Sequence, residues 1–138
     1  MDDFDPLTNL IAKQHRRIDS LLAEVLGVLR EGEDGPAVQA AFAVARKEIE
    51  QHLAAEDRVY YPALAALQPE HRAHLVPLVA AHEDFHARLA RTGALLAGDA
   101  LAEAEAVLAV LASDLERHEA VEERLLVAIG KAKQAPQA

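Results

Sequence analysis

The strongest constraint on this chain is where its histidines fall. Taken in alternating steps of four and three, four stretches read as buried helical stripes. The first is Ile11, His15, Ile18, Leu22, Val25, Leu29, and the second is Phe42, Ala45, Ile49, His52, Glu56, Val59, Ala63. The third is Leu75, Val79, His82, His86, Leu89, Gly93, Leu96, and the fourth is Leu108, Leu111, Leu115, His118, Glu122, Leu125, Ile129. Such steps place side chains on the core-facing seam of a packed helix. Five of the seven histidines and two glutamates therefore point inward. Burying each carboxylate without a partner would cost roughly several kcal/mol, which a marginally stable domain cannot carry. A bound metal cluster removes that objection.

Composition narrows the options. The 138 residues suffice for one domain with its own core, spanning 1–138. The chain has no cysteine, which excludes disulfides, thiolate zinc sites, iron–sulfur clusters and cysteine nucleophiles. A net charge of -9 with no basic cluster argues against a nucleic-acid or anionic-membrane surface, and no segment identifies a protein partner. The start, Met1-Asp2-Asp3-Phe4-Asp5, does not read as a signal peptide, and no apolar run approaches the roughly 18 residues of a membrane span. The expected location is cytoplasmic.

Punctuation divides the chain into helices over about 6–31, 37–67, 75–97 and 100–133. Asp5 is the expected N-cap of the first, with Pro6 at its first position, and Glu31-Gly32-Glu33-Asp34-Gly35-Pro36 ends it. Pro62 predicts a kink in the second, and Gly98 and Asp99 are the expected C-cap and N-cap between the last two. Short connections between long helices predict an all-α, antiparallel up-down-up-down four-helix bundle. The chain also repeats itself: His52-Leu-Ala-Ala-Glu56-Asp57-Arg58-Val59 recurs as His118-Glu-Ala-Val-Glu122-Glu123-Arg124-Leu125, and His15-x-x-Ile18 as His82-x-x-Phe85. Two similar hairpins would bring their histidines to one centre. The residue matching His86 in the first half is Asp19, so one side of the site is expected to be richer.

A His-x-x-x-Glu pair puts both side chains on one helical face, one turn apart. His15, His52, Glu56, His82, His86, His118 and Glu122 are too many donors for one tetrahedral zinc. They suit two ions roughly 3.5–4 Å apart bridged by carboxylates. Imidazole serves iron, zinc, copper and nickel alike, so the donor set alone leaves the metal open.

The pattern His15, His52-x-x-x-Glu56, His82-x-x-x-His86, His118-x-x-x-Glu122 resembles the hemerythrin and HHE cation-binding family, from the first helix to the last. The segment Glu56-Asp57-Arg58-Val59-Tyr60-Tyr61-Pro62 is similar to the one that closes the second helix of HHE domains. The resemblance implies a non-haem di-iron centre, two Fe ions bridged by Glu56 and Glu122. By the internal pairing, His15 and His52 would hold one ion and His82, His86 and His118 the other, leaving the first with an open position for an exogenous ligand. Oxygen-carrying hemerythrins have His-x-x-x-x-Asp on the last helix, whereas this chain has His-x-x-x-Glu. The implied function is binding of O2, NO or a related small ligand, for sensing, storage or carriage. Decomposition of H2O2 as an enzyme, and iron storage or iron-centre repair, are the alternatives.

Rival readings explain less. His82-Glu83-Asp84-Phe85-His86 matches the zinc-protease His-Glu-x-x-His, but that reading leaves both His-x-x-x-Glu pairs without a role. Ferritin-like bundles use Glu-x-x-His and more carboxylates. Asp57, Glu119 and Glu123 are expected to be solvated or salt-bridged, with Asp57 and Glu123 also placed to orient ligand histidines. Tyr60 and Tyr61 read as packing residues, and His71 and His74 as surface loop residues.

Overall fold

A computed structural model describes the backbone of residues 4–134 and the side chains of 6–130. The first helix, α1 (Phe4–Arg30), already includes Phe4, so Asp5 lies inside its first turn and is not its N-cap; the side chain of Asp5 falls outside the described residues. Gly32, at φ 75°, ends α1 in a left-handed turn that most side chains resist. The next helix, α2 (Gly35–Ala55), is capped by Asp34, whose carboxylate accepts the Ala37 N–H at 2.9 Å while Pro36 occupies the first turn.

After α2 the helix does not stop but widens. Residues Glu56–Tyr60 form one π turn, closed by the Tyr61 N–H bonding the Glu56 carbonyl, before α3 (Tyr61–Leu67) continues. Pro62 explains it: proline lacks an N–H, and its ring collides with the carbonyl four residues back, so an extra residue enters the turn. The extra residue rotates everything beyond it. Val59 and Ala63, expected on the seam, face outward, with Val59 59% exposed, and Tyr61 and Leu64 are buried instead.

A short 3-10 turn (Pro69–His71) leads into α4 (Arg72–Ala97). Its buried residues are Leu75, Leu78, His82, Phe85, Leu89, Thr92 and Leu96. The seam therefore runs three-then-four, not four-then-three, and Val79, His86 and Gly93 fall beside it. Both phasings contain His82 and Leu89; the large apolar ring of Phe85 takes the inward position because its burial is worth more than that of an imidazole. Gly98 is the C-cap of α4, as expected, and the left-handed residue is the next one, Asp99, φ 59°. The Gly98, Asp99 and Ala100 N–H groups bond back to the carbonyls of Ala94, Leu96 and Leu95, so Asp99 belongs to the end of α4 and is not the N-cap of α5 (Leu101–Gln134), which starts after Ala100.

In cross-section α1 packs against α2 and α5, and α4 against the same two, which is the ring of an up-down-up-down bundle. No strand occurs among the described residues, and no helix there is long and apolar enough to cross a membrane. The core is divided. One cluster includes Ile18, Leu22, Phe42, Ile49, Phe85, Leu89, Leu108 and Leu115; the other is Ile11, Tyr61, Leu64, Leu75, Leu78, Leu126 and Ile129. Between them lies a layer of buried histidines and glutamates.

The phasing of α4 is open to a direct check. Phe85→Ala is expected to cost ~3–5 kcal/mol of stability, as for a buried ring, and His86→Ala less than about 0.5 kcal/mol. Urea unfolding of the two variants showing the opposite ranking would place His86 on the seam after all.

Candidate metal centre

Each wall of the bundle contributes to the polar layer. His15 comes from α1, His52 from the last turn of α2, Glu56 from the start of the π turn, His82 from α4, and His118 and Glu122 from α5. All six are buried, with Glu56 0% and Glu122 1% exposed. One potential donor atom from each of His15, His52, Glu56 and Glu122 lies within 4.8 Å of the other three, and the same holds for Glu56, His82 and His118. Glu56 belongs to both groups: its Oε2 faces His52 Nε2 at 3.2 Å and its Oε1 faces His82 Nε2 at 3.1 Å. Glu122 Oε1 faces His15 Nε2 at 3.2 Å, and its Oε2 lies 3.9 Å from His118 Nε2. The Nε2 atoms of His82 and His118 are 3.3 Å apart.

His86 is not brought into this layer. Its side chain is 43% exposed, with Nδ1 4.0 Å from Glu50, because Phe85 takes the seam position next to His82 and packs edge-on against His118. The expected three-histidine side is thus a two-histidine side. The His15/His52 and His82/His118 halves carry equal numbers of imidazoles.

Other side chains hold the rings by their outer nitrogens. Asp57 Oδ1 lies 2.8 Å from His82 Nδ1, Glu123 Oε2 lies 3.2 Å from His15 Nδ1, and Gln14 Oε1 lies 2.6 Å from His52 Nδ1. An acceptor there fixes each Nδ1 as the protonated nitrogen and frees Nε2, which faces the centre, for a metal.

The sequence profile of the hemerythrin HHE cation binding domain matches residues 7–129. The chain belongs to the hemerythrin HHE cation-binding family. Neither a curated protein nor a solved structure matches it.

The residues present fit the cations that HHE domains bind. Both oxygens of Glu56, Oε1 of Glu122 and Nε2 of His15 are buried and make no aligned hydrogen bond, close though their neighbours stand. Lone-pair donors that face one another in a buried layer are a ligand set, since buried polar atoms otherwise find partners. Mixed imidazole and carboxylate donors suit iron and its neighbours in the first transition row.

Charge in the HHE site is balanced by proximity. Burial opposes ionisation of Glu56, but the close imidazoles of His52 and His82 hold its carboxyl below the usual range. Burial beside Glu56 pushes Glu122 up to about 8. Burial lowers His118 to about 4, so it stays a neutral imidazole, while Glu122 and Glu123 overcome burial to raise His15. His82 is raised against burial by Glu56 and Asp57. Tyr61, pushed above its ordinary value by burial and by Glu122 and Glu56, keeps its proton and donates it to Glu122 Oε2 at 2.5 Å.

Three features go beyond the sequence reading. Gln14, one residue before His15, was no candidate: it accepts from His52 and donates to the Tyr60 hydroxyl at 3.1 Å, and only the need of His52 Nδ1 for an acceptor would have pointed to it. Tyr61 is more than packing. Glu119, expected at the surface, is 3% exposed, and burial together with Asp19 and Glu123 pushes it up to about 10.

These shifts fix the pH dependence of the metal-free protein. Glu122 and Glu119 keep protons that the unfolded chain releases near pH 4.5, and His15 and His82 keep theirs above the ordinary imidazole value. From about pH 6 to 8 the folded chain therefore binds more protons, and stability falls with rising pH by up to ~1.4 kcal/mol per unit for each proton. Urea midpoints of metal-free protein should drop over that range, and drop less once metal displaces the ligand protons. A midpoint that climbs with pH would contradict the assignment.

Proposed function

We propose that this HHE domain holds a non-haem di-iron centre and binds dioxygen or a related small ligand such as nitric oxide. The observation that carries the reading is the pair of donor groups sharing Glu56, each with two histidines. His15 and His52 would hold one ion and His82 and His118 the other, with Glu56 and Glu122 between them. Two imidazoles per ion leave coordination positions for a ligand on either side. When bound, the irons supply the electrons and the open positions that such a ligand needs.

The protein's own groups prepare the space. The two apolar clusters exclude water above and below, and Asp57, Glu123 and Gln14 orient their rings. A small pocket of about 130 Å³, lined by Gln14, Ile18, Glu48, Gln51, His52 and Ala55, reaches the His52 edge from the surface. That volume admits a diatomic molecule or a peroxide with room to spare. A second reading, decomposition of hydrogen peroxide, draws on Tyr61, which holds a proton against Glu122 inside the centre.

Anaerobic loading with Fe2+ is expected to give about two irons per chain, and Glu56→Ala or His118→Ala fewer. Adding dioxygen, nitric oxide or peroxide separately to the reduced protein and following the optical spectrum separates the two readings. A reversible adduct supports ligand binding, and sustained gas evolution from peroxide supports the enzyme. One zinc per chain, indifferent to Glu56→Ala, sinks both.

A further inference from the structure

Glu119 is a buried acid that the central site leaves unused. It is 3% exposed, and both carboxylate oxygens are buried without a hydrogen-bond partner. Among the described residues no lysine, arginine or histidine forms an ion pair with it or with Asp19. A carboxyl group in that condition lowers stability unless something binds it.

The internal repeat supplies the control. Pairing His118 with His52 and Glu122 with Glu56 pairs Glu119 with Leu53, a fully buried leucine of the core. Hydrocarbon fills the same place in the other hairpin, so packing does not call for an acid there. The neighbour differs too: Asp19 on α1 stands where α4 has His86. Asp19 is exposed and stands one turn after His15 on α1, while Glu119 stands one turn before Glu123 on the antiparallel α5; because Glu123 lies 3.2 Å from His15, the two helices bring Asp19 and Glu119 alongside each other. One acid is sunk between α1 and α5 without a partner, and the other meets water beside it.

We infer that Asp19 and Glu119 form a second cation site at the seam of α1 and α5, separate from the histidine–glutamate centre and suited to a hard divalent ion. The donors are all carboxylate oxygens, which favour Mn2+, Mg2+ or Fe2+ over softer metals, and water at the Asp19 side completes the coordination. One turn further along α5 stands Glu123, itself partly exposed, which lies 3.2 Å from His15 of the centre. The site therefore lies one helical turn from the centre, along the same seam.

The test is a Mn2+ titration, read by electron paramagnetic resonance, of protein whose central site has been filled with two equivalents of Zn2+. Wild type is expected to take up about one Mn2+ per chain, and Glu119→Leu and Asp19→Asn to bind it on the order of 10-fold more weakly or not at all. Glu119→Leu, which installs the residue of the twin position, should also raise the melting temperature. Glu56→Gln, which disrupts the centre, should keep the Mn2+ equivalent, so failure of the di-iron reading would show separately. If wild type binds no Mn2+, or if the Asp19 and Glu119 variants bind it as wild type does, the inference is wrong and Glu119 is a neutral acid hydrogen-bonded to Asp19.

Discussion

Every other feature of this bundle answers to one demand: four imidazoles and two carboxylates occupy its interior as a single layer. Left to themselves these groups destabilise the fold, because desolvation exceeds what their misaligned mutual contacts return. The apolar clusters on either side supply the compensating burial and keep water out. The resulting buried cage with converging donors is what cation binding requires.

The cage is built twice. Glu56 and the following Asp57 both turn toward His82 on α4, and Glu122 and the following Glu123 both turn toward His15 on α1. Each hairpin thus orients a histidine of the other, and the two cannot separate without undoing both halves. Departures from this symmetry gather around the same layer. Gln14 holds His52, whereas its counterpart Ala81 can hold nothing. The π turn aims Tyr61 at Glu122, and Glu119 replaces Leu53. A widened helical turn beside a ligand is a common device for re-aiming a side chain at a functional site.

Much of this was legible in the sequence, for a physical reason. Long amphipathic helices with short joints allow few arrangements, so the four-helix bundle followed from periodicity alone, and six of the seven proposed ligands converge because each lies on the seam that its helix buries in the folded bundle. His86 fell outside for the converse reason: a four-then-three reading includes it and a three-then-four reading selects Phe85, and only packing decides. Val59 and Ala63 left the seam because Pro62 widens the turn before them, which periodicity does not register. Gln14 and Glu119 lie off the main stripes, and their roles depend on neighbours from other helices.

The most direct measurement is an anomalous-scattering map from crystals of the iron-loaded protein, collected at the iron edge. Two peaks are expected inside the layer, one beside His15 and His52 and the other beside His82 and His118, with Glu56 touching both and His86 touching neither. A single peak, or a peak held by His86, would contradict the two-ion centre proposed from this geometry.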